Sequence, residues 1–186
     1  MKLSDTKEQA FEYLIEKALV GSTVEERKAS DNDDIEAQNP GPNQYYWGRP
    51  KDMPSKLAID ERRLWSFLES TQRDVLDEYR GKDLKSSVER QIFKDIATFG
   101  IIKLIREGVE VDNIKLKLFY PKPTPSDSET SREKYAKNQF SITRQQTFSL
   151  VTPELEIDIV VFVNGLPIFT FERFSLYCFL PSYLAV

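Results

Sequence analysis

The chain has 186 residues, 40% of them hydrophobic and 12% aromatic, and a formal net charge of −4. That is enough material for one sizeable core and too little for two, and it excludes a chain disordered throughout. The acidic balance excludes an overall electrostatic pull toward DNA, so any nucleic-acid contact has to come from a local basic patch or from a partner.

Taken in chain order, Phe11, Leu14, Ile15, Ala18 and Leu19 recur at helical spacing and predict a first helix over Thr6 to Val20. Asp5 and Glu8 form a candidate capping pair, with Gly21 as the stop. From Gly21 to Ser55 the composition is polar and reads as a loop or extended lobe, pinned in part by Tyr45, Tyr46 and Trp47. Leu57, Leu64, Phe67 and Leu68 predict a short helix. Thr71 reads as the N-cap of another, carrying Val75, Leu76 and Tyr79 and closed by Gly81. Leu84, Val88, Ile92 and Ile96 line a further helix ending at Gly100, and Ile101 to Glu107 reads as a brief turn.

The period then changes from helical to alternating. Ile114, Leu116, Leu118 and Tyr120 predict a half-buried strand, and Ser131 to Lys137 a short helix. Phe140, Ile142, Arg144, Gln146 and Phe148 alternate again. The β-branched run Ile157 to Val163 has the composition of a strand buried on both faces. Asn164-Gly165 is a two-residue hairpin signal, with Leu166 to Phe171 returning. Helices followed by a strand meander predict an α/β or α+β class with a mixed sheet.

The available chemistry is restricted. There is no histidine, which removes histidine-based triads and histidine-ligated zinc, and Cys178 is the single cysteine, which removes an internal disulfide and a cysteine zinc site. A chain without disulfides fits a reducing cytoplasm, and no apolar run approaches the ~18 residues that a membrane span needs. Carboxylates, lysines and hydroxyls remain, a set suited to metal-dependent phosphodiester chemistry. Within it, Asp158 opens the apolar strand and Glu172 closes the next one. A carboxylate in such a strand must be solvated, paired or metal-bound. If the two strands pair through Asn164-Gly165, both acids fall near one end of the sheet, where they can share Mg²⁺. On spacing alone, a strand-capping Asp158 and a surface Glu172 are the commoner description of such a pair.

Three separately placed segments, Asn138-Gln139-Phe140-Ser141-Ile142-Thr143-Arg144-Gln145, then Ile157-Asp158-Ile159-Val160-Val161-Phe162-Val163-Asn164-Gly165-Leu166-Pro167, then Thr170-Phe171-Glu172, together resemble the N-terminal nuclease region of type I restriction enzyme R (restriction) subunits. Further upstream, Phe67-Leu68-Glu69-Ser70-Thr71-Gln72, Ile105-Arg106-Glu107-Gly108-Val109 and Leu118-Phe119-Tyr120-Pro121-Lys122-Pro123 are similar to other landmarks of that family. The resemblance implies a restriction-endonuclease-like core, a mixed sheet flanked by helices with an Asp…Glu-x-Lys metal site. It implies Asp158 and Glu172 as catalytic, Mg²⁺-binding residues and Glu12 as a further helical acid, with Glu16 second. Arg144 and Gln146, on one strand face, become candidates for DNA phosphate contact, although an ordinary exposed face reads the same way. The implied partners are duplex DNA and the methylation and specificity subunits, with no membrane.

Two departures from that family stand out. The Glu-x-Lys position reads Glu172-Arg173-Phe174. Phe174 cannot position a water or balance phosphate charge, and Arg173 is one residue out of phase. After Glu172 the chain turns apolar to Val186 and lacks the Gln-x-x-x-Tyr helix of the family. The expected division is therefore a nuclease domain over 1–172 and an atypical hydrophobic tail over 173–186, produced by a reading-frame change or premature stop; a natural apolar terminus is the alternative. No G-x-x-x-x-G-K-[ST] loop is present, so ATP binding belongs to the translocase of an intact enzyme. The expected activity is endonucleolytic in the intact complex and lost in this chain. The competing descriptions are a non-catalytic DNA-binding or subunit-docking module and a plain structural domain.

Overall fold

The computed structural model describes residues 3–23, 25–26, 45–48, 59–147 and 156–171. Glu172, Arg173, Phe174, the rest of the apolar tail and most of the polar stretch before Pro54 lie outside them. Among the described residues the helices set out in full are α1 (Leu3–Val20), α2 (Glu61–Asp77), α3 (Leu84–Phe99), α4 (Ile101–Glu107) and α5 (Glu129–Ala136), and the strands are β1 (Tyr45–Trp47), β2 (Val109–Val111), β3 (Ile114–Leu116), β4 (Phe140–Thr147), β5 (Glu156–Val163) and β6 (Leu166–Phe171). The principal sheet runs β1-β4-β5-β6, with β1 parallel to β4 and the other neighbours antiparallel, so it is mixed. The expected mixed α/β class is found. Among the described residues no helix is long and apolar enough to cross a membrane.

Helix ends follow local chemistry. Asp60 caps α2 by accepting from the Arg63 N–H, Asp83 caps α3 through Ser86, and Ser128 caps α5 through Ser131. The two helices expected around Thr71 meet at a kink one residue later, where Gln72 leaves helical geometry within Glu61–Asp77. Thr71 is no N-cap: its hydroxyl donates back to the Phe67 carbonyl at 2.7 Å. Gln72 leaves helical geometry because its amide serves another segment, donating to the Lys117 carbonyl (2.8 Å) and accepting from the Lys117 N–H (2.7 Å). Ile101 to Glu107 is helical, not a turn.

Two strands went unannounced. β1 pairs with β4 through Tyr45, Tyr46 and Trp47, the aromatic triplet within the polar stretch. β2 pairs with β3 across Asp112-Asn113, and the strand expected from Ile114 to Tyr120 stops at Leu116, although Leu118 remains buried. The largest core cluster joins α2, α3, α4 and this hairpin around Leu64, Phe67, Ile92, Leu104 and Leu116. A second cluster packs α1 against the sheet through Val20, Trp47, Ile142, Ile159 and Val161.

The β5–β6 turn is the junction of these parts. Asn164 and Gly165 have φ of 50° and 81°, as a tight two-residue hairpin requires. The buried Asn164 side chain accepts from the Gln139 N–H (2.7 Å) and donates to the Leu118 carbonyl (2.9 Å) and to Asn138 (3.0 Å). Asn138 in turn bridges both backbone groups of Tyr120. The Gly165 carbonyl accepts from the Asp60 N–H, and a Cβ at Gly165 would lie 2.3 Å from the Asp60 carbonyl oxygen. The motif glycine is required by the approach of α2 as well as by its φ.

Asn164→Ala is expected to leave the Gln139 N–H and Leu118 C=O without these partners, at about 1–3 kcal/mol for each buried group. Urea denaturation measures it; a loss below about 0.5 kcal/mol would remove this side chain from its assigned role.

Candidate functional site

α1 begins at Leu3, so Asp5 lies inside the helix and is not its cap. Its apolar stripe does not face the sheet as a unit: Phe11 and Leu14 are 52% and 67% exposed, and Ala18 is exposed too. The helix instead buries Glu16 completely, with Ile15, Leu19 and Val20 beside it. The cause lies across the interface. Arg144 projects from β4, opposite Ile159 of β5, onto the α1 side of the sheet. A guanidinium at 9% exposure needs carboxylates, and the helix turns its acidic edge toward it.

Three glutamates meet Arg144. Its Nε donates to Glu12 Oε2 at 2.9 Å and lies 3.1 Å from Glu16 Oε1, while Nη1 reaches Glu25 Oε1 at 3.3 Å. The guanidinium also stacks 5.2 Å from the Tyr13 ring centroid. Burial works against the charged form of Arg144, but Glu16, Glu12 and Glu25 outweigh it and raise its pKa above the ordinary arginine value.

Glu25 was missed in the sequence, although its signal is legible. Thr23-Val24-Glu25-Glu26 is a capping box: the Thr23 N–H donates to Glu26 at 3.0 Å and the Glu26 N–H to the Thr23 hydroxyl at 3.2 Å. Glu26 also pairs with Lys17 at 2.7 Å, and these bonds from Lys17 and Thr23 hold its carboxyl below the usual range. The box fixes the turn after α1 and so delivers Glu25 to Arg144.

Asp158 is half-buried near the start of β5, between Ile157, which packs with Val160 and Phe162, and Ile159, which packs beneath α1. The Gln146 backbone is opposite Ile157 in the ladder, and its side chain lies outside the described part. Among the described residues no three His, Cys, Asp or Glu side chains gather closely enough to hold a metal ion, so Asp158, Glu12 and Glu16 do not close into one group.

A bulge governs the partner of Asp158. Val163 pairs with Leu166 and Phe162 with Pro167, yet Val161 pairs with Phe169, leaving Ile168 as an extra residue on β6. Run straight from the turn, the ladder would set Asp158 across from Phe171. The bulge sets Ile159 across from Phe171 instead, and this last described pair is one residue short of Glu172. The bulge has no signature in the residue pattern, because the alternation of apolar and polar residues is lost in so hydrophobic a hairpin.

Arg144→Met is expected to cost about 3–5 kcal/mol by stranding Glu16 in the interior, and Arg144→Lys to recover only part of that. Adding Glu16→Gln to Arg144→Met should return stability, as followed by urea midpoint. Equal stability of Arg144→Met and the unchanged chain would contradict the burial described.

Residues 53–173, nearly two thirds of the chain, match the family model described as type I restriction enzyme R protein N terminus. The matched stretch holds Arg144, Asp158 and Glu172, while α1 with Glu12 and Glu16 precedes it. No curated protein and no solved structure matches the chain. On the family match and the motif-bearing hairpin together, the chain belongs to the family of type I restriction enzyme R protein N-terminal regions.

Proposed function

We propose that this chain carries the nuclease region of a type I restriction R subunit, over residues 1–172, with a restriction-endonuclease-like core and an unrelated apolar tail over 173–186. In the intact, ATP-dependent complex, assembled with methylation and specificity subunits in the cytoplasm, that region cleaves phosphodiester bonds of duplex DNA. The single observation that supports the reading best is the β6 bulge, which advances the pairing so that Ile159 meets Phe171. If Glu172 followed the same register, it would stand across from Asp158.

The donor chemistry fits Mg²⁺, which takes carboxylate oxygens and keeps several waters. Asp158 and Glu172 are the residues that would hold such an ion, and it would supply a water of lowered pKa and charge neutralisation for the phosphate. The remaining work falls to the protein. The β5–β6 hairpin carries Asp158, and the Asn164-Gly165 junction keeps that hairpin fixed against the start of β4, Leu118 and the start of α2. Glu12 and Arg144 act on each other in this proposal: the guanidinium is engaged by three carboxylates and tethers α1, and phosphate contact on this strand passes to Gln146. Phe174 stands where the family places lysine, so the step that needs an ammonium beside the attacking water is lost and the chain is inactive by itself.

Isothermal calorimetry with Mg²⁺ or Mn²⁺ is expected to show binding that Asp158→Ala abolishes, with no nicking of plasmid DNA by the unchanged chain. Phe174→Lys is expected to introduce metal-dependent nicking. Metal binding without nicking by Phe174→Lys would favour a non-catalytic DNA-binding or docking module, and absence of Asp158-dependent binding would end the metal reading.

A further inference from the structure

A trough of about 540 Å³ lies between α2, the exit of β3, the Tyr120–Pro123 segment and α5. Small-molecule sites are mostly apolar with few polar groups. This one is rimmed by Lys115, Lys117, Lys122 and Lys134, against Asp74 and Asp127, in a chain whose overall charge is −4. The Asp127 carboxylate is engaged by the Thr124 N–H and hydroxyl, which hold its pKa below the usual range. Lys115 stands opposite Glu110 in the β2–β3 hairpin. Lys117, Lys122 and Lys134 form no ion pair among the described residues, and Lys134 lies 5.5 Å over the Tyr120 ring.

The backbones that carry these three lysines are separately fixed. The Gln72 amide grips both backbone groups of Lys117. Asn138 grips both backbone groups of Tyr120, and Lys122 follows Pro121 and precedes Pro123, whose ring favours extended geometry at Lys122. Lys134 rides on α5, capped by Ser128. Ammonium groups on a fixed frame, with the hydroxyls of Ser128, Thr130 and Ser131 beside them, are the donors that phosphate oxygens use. We propose that this trough binds the phosphodiester backbone of duplex DNA, independently of base sequence and at a site apart from the Asp158 carboxylate. The proposal rests on the nuclease reading above for the choice of duplex DNA as polyanion.

The test is fluorescence anisotropy with a labelled duplex in EDTA, so that the proposed metal pair plays no part. The combined variant Lys117→Ala, Lys122→Ala, Lys134→Ala is expected to weaken binding at least tenfold at low salt. It should also flatten the slope of log K against log salt by about three, one for each phosphate that is no longer neutralised. A control with the same charge change elsewhere, Lys82→Ala, Lys85→Ala, Lys94→Ala, should bind within about twofold of the unchanged chain, and both variants should keep their melting temperatures. Equal losses in trough and control variants, or an unchanged slope in the trough variant, would overturn the assignment. So would tighter binding of poly-glutamate than of duplex at the same salt, which would give the trough to an acidic protein segment. Because the assay contains EDTA, binding through the trough is read with no metal present, so loss of trough binding and absence of Asp158-dependent metal binding are separate outcomes, and the first can fail without the second.

Discussion

Four segments of the chain meet at the side chain of Asn164 and the backbone of Gly165, and the architecture is organised by what can fit there. A two-residue turn with both φ values positive leaves its polar groups facing inward, where only hydrogen bonds from other segments can satisfy them. Gln139 at the head of β4, Leu118 beyond the β2–β3 hairpin and Asn138 supply those bonds, while the start of α2 closes over Gly165. The turn therefore places the helical half of the molecule against the sheet as well as joining two strands. Residues that look like a recognition motif in the sequence, Asn138 and Asn164-Gly165, are occupied with backbone.

The second organising constraint is the charge on Arg144. An arginine on the buried face of a strand demands counter-charges, and the helix that covers it must supply them. That demand explains why α1 presents Glu12 and Glu16 inward and leaves Phe11 and Leu14 largely exposed, against the sense of its apolar pattern. Periodicity reports where apolar residues fall on a helix; it cannot report that the opposing surface carries a cation. The same blindness covered β1, because three aromatic residues in a polar stretch carry no strand period until β4 is there to pair with them.

Much else was legible. Strands β4, β5 and β6 appear in order with bounds close to those observed, because alternation, a β-branched run and Asn-Gly each have one structural solution. The caps at Gly21 and Gly100 were readable, as was α5. Thr71 misled for a physical reason: threonine is a good N-cap, yet its hydroxyl is equally able to back-bond within a helix, and the kink arises from the neighbouring Gln72. Of the candidate site, the residue types in the hairpin were visible and the register was not. The extra residue at Ile168 is a tertiary choice, made where β6 packs Ile168 and Phe171 against the α1 side of the sheet.

That register carries the functional account, since a one-residue slip exchanges a carboxylate for a phenyl ring opposite Asp158. Cross-linking measures it most directly. In a Cys178→Ser background, the pair Asp158→Cys, Glu172→Cys is expected to form a disulfide on mild oxidation, and the pair Asp158→Cys, Phe171→Cys to remain largely reduced. The opposite preference would mean that the hairpin runs without its bulge, and the proposed carboxylate pair would lose its basis.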